Sequence, residues 1–319
     1  MSGIVSRRAA GRLAAGLILG SSLSSGAQVP QGTLAVLVEG AQLDLLIDDV
    51  PFTLPQSAIV AWVKQSARAV SNYLGGFPVA RASIHVTQSN RDRGVGHGTS
   101  WGEPHARCRI SLGLQATVDD LDRDWVLTHE MFHFAFPSMP EQNSWIEEGL
   151  STYAEPIARA GIGLISPEEV WRDMLRDMPK GLPAQGDQGL DVTHTWGRTY
   201  WGGAIFCLLA DVGIRQATQN ARGLPDALRA INAAGGNITK EWSLPQALKI
   251  GDRATGTTVL SGLYAKCGSS FYAIDLPGLW DQLGVRRQGD TVAFDDHAPL
   301  AAIRRRILGA PQPRTATNG

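Results

Sequence analysis

The sequence predicts an α+β fold in two parts. An N-terminal α/β lobe with a mixed sheet covers about residues 28–137, and a mainly helical lobe covers about residues 138–310. Three observations predict it. Segments that alternate as strands cluster before residue 115, whereas helical segments with capping signals dominate after Pro137. The chain of 319 residues is 43% hydrophobic and 18% charged, which is enough to bury one large core or two smaller ones.

Each element follows from local chemistry. Residues 33–38 and 42–47 read as short strands around Glu39-Gly40. Ser57 is placed to cap a helix through Tyr73, which Gly75-Gly76 ends. Residues 82–87 alternate as a strand. Residues 90–105, rich in Gly, Arg and Asp, read as a loop, and 107–114 as another strand. A helix over 121–136 carries Trp125, Leu127, Met131, Phe132 and Phe134. Acids at Asp119, Asp120, Asp122 and Asp124 favour its start, and Pro137 stops it. Ser144 is placed to cap a helix with Trp145, Ile146, Leu150, Tyr153 and Ile157 on it. Ser166-Pro167-Glu168-Glu169 is a capping box with proline at the first helical position. Further helices are predicted over 166–178, 196–217, 225–234 and 298–308, and residues 311–319 read as a disordered tail.

Residues 1–27 read as a secretory signal. Arg7, Arg8 and Arg12 are basic, 13–19 are apolar, and Ser25-Gly26-Ala27 offers small residues for cleavage. The mature chain is then expected to start near Gln28, in the periplasm or outside the cell. The apolar run is too short to span a bilayer, and no later segment approaches transmembrane length. The Arg7-Arg8 pair also fits twin-arginine export. A formal net charge of −1 gives no electrostatic case for nucleic acid or an anionic membrane surface. Cys108, Cys207 and Cys267 are odd in number and cannot all pair internally. Cys207 reads as a small buried hydrophobe. A Cys207–Cys267 bridge is the alternative for an oxidising compartment.

The residues that carry chemistry lie in the middle of the chain. His129-Glu130-Met131-Phe132-His133 places two imidazoles four residues apart on one helix face, where both reach one zinc ion. Glu130, between them, is the candidate general base. A core helix with two histidines at this spacing is the alternative reading, but it leaves the acidic motif downstream unexplained. A third histidine after a glycine would need to fall at Met139 and Phe136, so that arrangement is excluded. Sites with two His and one Glu take the acid from the next helix, where Glu147 and Glu148 stand side by side. They point about 100° apart on a helix, so one of them faces the metal.

Together these residues resemble the gluzincin zinc metallopeptidases, and within them the glycyl aminopeptidase family and its aminopeptidase relatives. That family has a tryptophan, two residues, then Glu-Gly, which Trp145, Glu148 and Gly149 fit. The resemblance implies Glu148 as third ligand and Glu147 as a surface or supporting acid. Tyr200-Trp201-Gly202-Gly203-Ala204, followed by Leu208-Leu209-Ala210-Asp211 and Ile214-Arg215, is similar to the family's tyrosine-glycine helix. This implies that the Tyr200 hydroxyl stabilises a tetrahedral oxyanion, with His194 as the alternative donor. The resemblance spans roughly residues 57–283. The fourteen residues between His133 and Glu148 are fewer than is usual in that superfamily.

The resemblance therefore implies a gluzincin-like catalytic domain with one Zn2+ ion on His129, His133 and Glu148, and with Glu130 and Tyr200 as catalytic residues. The expected partner is a peptide or protein substrate, and aminopeptidase action is favoured over endopeptidase action. A binding or assembly factor that keeps the fold with little turnover is the alternative of a different class. Residues 107–114 are expected at the sheet edge, where an extended peptide adds as a strand. His97, Trp101, Glu103 and His105 are further candidate substrate contacts.

Overall fold

A computed structural model of the chain describes residues 32–309. The expected signal segment and the tail lie outside these residues. The first lobe is a five-stranded sheet in the order β1-β2-β3-β5-β4. Its strands are β1 (Leu34–Val38), β2 (Ala41–Ile47), β3 (Arg81–Gln88), β4 (Val95–Trp101) and β5 (Arg107–Leu112). β2, β3 and β5 run parallel, and β1 and β4 pair antiparallel at the two edges, so the sheet is mixed as expected.

Strand alternation sends Leu43, Leu45, Ile84, Val86, Ile110 and Leu112 to one buried face. Helices α1 (Gln56–Leu74) and α3 (Val126–Phe132) pack on that side, bringing Ile59, Trp62 and Val63 into the core. Pro55, not Ser57, precedes the first turn of α1, and Gly75 closes it in the left-handed region at φ 77°.

Three sequence expectations are corrected here. Residues 90–105 are not all loop: β4 lies within them and occupies the sheet edge. Residues 107–112 are an interior strand between β3 and β4. The sequence Val-Gly-His-Gly-Thr-Ser-Trp hides this strand because a bulge between Val95 and Gly98 breaks the alternation and the inward Gly98 carries no side chain. The helix expected over 121–136 is also interrupted. α2 (Val118–Asp122) ends first, and the Asp124 carboxylate then accepts from the Val126 and Leu127 N–H groups to start α3. His133 opens a single 3-10 turn, His133–Ala135. All three cysteines are free and buried, in line with the reading of Cys207 as a small buried hydrophobe, and the alternative Cys207–Cys267 bridge is not formed.

The second lobe is helical. α4 (Ser144–Gly161) follows a short 3-10 turn, with Asn143 rather than Ser144 at the cap position. α5 (Pro167–Asp177) carries the expected capping box. A π turn, Arg198–Gly202, leads into α6 (Gly203–Ala217), and α7 (Leu224–Ala233) comes next. Sequence reading did not find α8 (Leu244–Thr255), α9 (Val259–Cys267), α10 (Leu276–Leu283), or the hairpin of β6 (Val285–Gln288) and β7 (Thr291–Phe294). α11 (Ala301–Leu308) closes the described chain. Among the described residues, no helix is long and apolar enough to cross a membrane.

α4 and α6 approach at the level of their backbones. A Cβ on Gly149 would enter the backbone of Gly203, and one on Gly203 would meet the Trp145 carbonyl. Both glycines belong to the motifs found in sequence, so the two motifs form one packing unit. Gly149→Ala is expected to push the helices apart and to destabilise the protein by about 1–3 kcal/mol. Thermal unfolding measures this, and an unchanged Tm would show that the helices tolerate separation.

Candidate active site

α3 and the 3-10 turn after it supply His129, Glu130 and His133, and α4 supplies Glu148. All four are buried. Glu148 Oε2 lies 3.2 Å from His129 Nε2 and 3.6 Å from His133 Nε2. The ligand atoms of these three residues lie within 4.8 Å of one another. Three tetrahedral ligands with zinc bonds of about 2.0–2.1 Å stand about 3.3 Å apart, so the donor set fits zinc in chemistry and in spacing. Glu147 is buried one step along α4 but is not a member of this group.

The ligands are held from outside. The Ser151 hydroxyl lies 3.4 Å from His133 Nδ1. With Nε2 turned to the metal position, Nδ1 carries the proton and donates to that hydroxyl, which fixes the ring. Ser151 was missed in sequence, although it lies three residues after Glu148 on the same helix face. Burial pushes the His129 imidazole towards its neutral form. Its bond to the Glu148 carboxylate outweighs this and raises its pKa above the ordinary value. Glu155 lies two turns beyond Glu148, and its charge also acts on His129. Burial raises the Glu155 pKa to about 7, against the opposing pull of Arg159, which donates to it at 3.0 Å.

Glu130 is positioned by the edge strand. The Ser100 hydroxyl lies 2.7 Å from Glu130 Oε2 and 2.9 Å from the Glu130 carbonyl. Gly98, two residues earlier on the same face, leaves room for the Glu130 side chain, where a Cβ would collide with its Cγ. Gly98 is therefore a glycine because the Glu130 side chain passes directly over it. Sequence reading missed Ser100, since its only signal was a serine two residues beyond a glycine in an apparent loop.

Tyr200 lies in the π turn, a distortion often found at functional sites. Its ring stacks on His129 with centroids 6.4 Å apart and planes 28° apart. Arg198, in the same turn, pairs with Asp187 at 2.7 Å and donates to the Gly181 carbonyl at 2.6 Å. Asp191 accepts from Asn143 Nδ2 at 2.7 Å, Trp145 Nε1 at 2.8 Å and the Tyr264 hydroxyl at 2.6 Å. This carboxylate ties the approach to Tyr200 to the start of the glutamate helix.

The remaining candidates fall elsewhere. His194 is exposed on the loop before the π turn. His97 and Trp101 alternate with Ser100 and so face the opposite side of the sheet, where Trp101 packs with Arg107 and Arg109. His105 hydrogen-bonds Ser83 at 2.9 Å, and Glu103 is exposed beyond the strand end.

No protein-family model matches the sequence, and no curated protein matches it. Solved structures do. The aminopeptidase N family protein from Idiomarina loihiensis superposes with a TM-score of 0.60 at 15% identity, covering 80% of this chain and 49% of that one. A two-domain M1 zinc metallopeptidase mutant bound to L-arginine gives 0.51 at 14% identity, covering 77% and 52%. An M1 zinc metallopeptidase mutant from Deinococcus radiodurans gives 0.50 at 13% identity, with the same coverages of 77% and 52%. The chain spans about half the length of these structures. At such identities the likeness shows the fold, which is the gluzincin-like α+β fold expected from sequence. These relatives carry the M1 name, not that of the glycyl aminopeptidases to which the sequence motifs are nearest.

Ser100→Ala removes one bond from Glu130 without touching a metal-site residue. It is expected to leave bound zinc unchanged and to lower kcat on the order of tenfold. Metal analysis and steady-state kinetics check this. Loss of zinc would instead give Ser100 a role in building the metal site.

Proposed function

We propose that this chain is a zinc-dependent peptidase that hydrolyses peptide bonds. The observation that carries the reading is the convergence of His129 Nε2, His133 Nε2 and Glu148 Oε2, with Glu130 next in sequence to one ligand and the Tyr200 ring stacked on it. Bound zinc supplies Lewis acidity and a water whose pKa is near neutral.

The chain supplies the rest. Glu130, oriented by Ser100, accepts a proton from the attacking water and delivers it to the leaving nitrogen, so the same carboxylate serves as base and then as acid. The Tyr200 hydroxyl donates to the oxygen of the attacked carbonyl as negative charge develops there. His133, fixed by Ser151, and Glu148, fixed by α4, keep the donor set rigid between turnovers.

Glu130→Gln should retain zinc while turnover falls by orders of magnitude. Tyr200→Phe should lower kcat much more than it raises KM, by about 2–4 kcal/mol of transition-state stabilisation. Full activity in Glu130→Gln would end the proposal. An unchanged kcat in Tyr200→Phe would leave the tyrosine as a core residue and turn attention to His194.

The structural relatives include a protein of the aminopeptidase N family and an M1 metallopeptidase mutant bound to a free amino acid. This favours removal of N-terminal residues. One observation favours the second reading, internal cleavage: β4, Val95–Trp101, holds no carboxylate to pair with a free α-amine. N-acetylation of a good substrate decides between them. Aminopeptidase action predicts that hydrolysis stops and that products from the free peptide are single residues. Equal cleavage of blocked and free peptides at internal bonds makes the protein an endopeptidase.

A further inference from the structure

Trp125 and Trp196 are 40% and 51% exposed. Isolated exposed apolar side chains are ordinary on protein surfaces. These two differ because each touches a ring of the site. Trp125 meets His129 edge-on, with centroids 5.7 Å apart and planes at 85°. Trp196 lies against Tyr200, with centroids 5.8 Å apart and planes at 31°. His129 and Tyr200 stack on each other, so the four rings form one run. The proposed ligand and the proposed oxyanion donor lie at its centre, and an exposed indole lies at each end.

Both indoles stand on fixed supports. Trp125 directly follows Asp124, whose carboxylate accepts from two N–H groups of the first turn of α3 and from Trp62 Nε1. Trp196 ends a loop pinned along its length. The Leu190 N–H donates to the Cys267 carbonyl and the Asp191 N–H to the Gly268 carbonyl. The Asp191 carboxylate takes three donors, and Asp187 pairs with Arg198. An indole held this way is presented to a ligand with little ordering left to do.

The same pinning uses the loop's charges. Asp187 and Asp191 are both committed to internal partners, while Val192, Trp196 and His194 face outward. The outward face of the loop leading to Tyr200 therefore carries Val192, Thr195 and Trp196 beside one imidazole, with both carboxylates turned inward. A large apolar side chain laid there removes indole surface from water and contacts rigid rings. A glycine leaves that surface wet, and a charged side chain would lose its hydration without gaining a partner.

We propose that Trp125 and Trp196 each select a large apolar side chain, aromatic or leucine-like, on the substrate residues that flank the scissile bond. The proposal rests on the peptidase reading and adds its substrate class. Because the selecting groups are not those that perform the chemistry, binding and cleavage test the two separately.

The experiment uses the full zinc-loaded protein and matched peptides that carry Phe, Leu, Gly or Lys at each residue flanking the cleaved bond. Cleavage is followed in the wild type, and binding is followed by calorimetry in Glu130→Gln. At both flanking positions, Phe and Leu should exceed Gly and Lys by about tenfold or more in both kcat/KM and affinity. Trp196→Ala should collapse that ratio at one of them, and Trp196→Phe should restore most of it. Trp125→Ala, with its zinc content measured alongside, serves as the second variant if the first does not fold. Equal cleavage and binding of the Phe and Gly peptides, or an unchanged ratio in Trp196→Ala, overturns the selection and leaves the peptidase reading intact. Discrimination in binding with no cleavage of any peptide supports the selection and overturns the peptidase reading.

Discussion

The backbone contact between α4 and α6 is the constraint on which the site depends. Gly149 and Gly203 bring the two helices closer than any side chain would permit. That approach brings the helix of Glu148, one residue before Gly149, together with the turn of Tyr200, three residues before Gly203, and both residues meet His129. Neither residue could be placed so by its own helix alone. Packing at two glycines is inexpensive in bulk but exacting in distance, since a single methyl group has nowhere to go. The Asp191 carboxylate reinforces the same junction from the side through Trp145, the tryptophan that opens the motif of Glu148.

The other half of the site hangs on the sheet. β4 runs beneath Glu130 with a glycine where the side chain crosses and a serine where its carboxylate ends. The proposed base is thus oriented by an edge strand, and the proposed metal ligands by helices and the turn after α3. Burying so many acids together has consequences. Burial raises the pKa of Asp124, even with three N–H donors on its carboxylate, and that of Glu155 to about 7. Buried carboxylates of this kind are costly unless each has a partner. Here Arg159, the Trp62 indole and the backbone at the start of α3 supply them.

Much of this was legible in the residues themselves. The His129–His133 spacing requires a helix-like turn to put both rings on one side, and the chain makes one, although it tightens at His133. Helical geometry said that only one of Glu147 and Glu148 could join the histidines, and the Trp145-to-Gly149 pattern of the resemblance pointed to Glu148; the backbone contact at Gly149 gives that pattern a physical reason. Capping chemistry located α5, and hydrophobic spacing located α1 and α4. β4 was not legible, because Gly98 makes room for Glu130 and a bulge between Val95 and Gly98 breaks the alternating pattern. Ser100 was hidden with it. α8 to α10 were missed because none carries a capping box, and α9 has no proline at its start either. Sequence also cannot show that Trp196 touches Tyr200, since that contact depends on a loop fastened by Asp187 and Asp191.

The proposed function requires one zinc ion on two imidazole nitrogens and one carboxylate oxygen supplied by α3, the turn after it and α4. A crystal structure of the zinc-loaded protein, with anomalous scattering recorded at the zinc edge, tests it most directly. The account predicts a single peak bonded to His129 Nε2, His133 Nε2 and a Glu148 oxygen, at about 2.0–2.2 Å each. A peak bonded to Glu147 or His194 in place of Glu148, or no peak between these three residues, would contradict it.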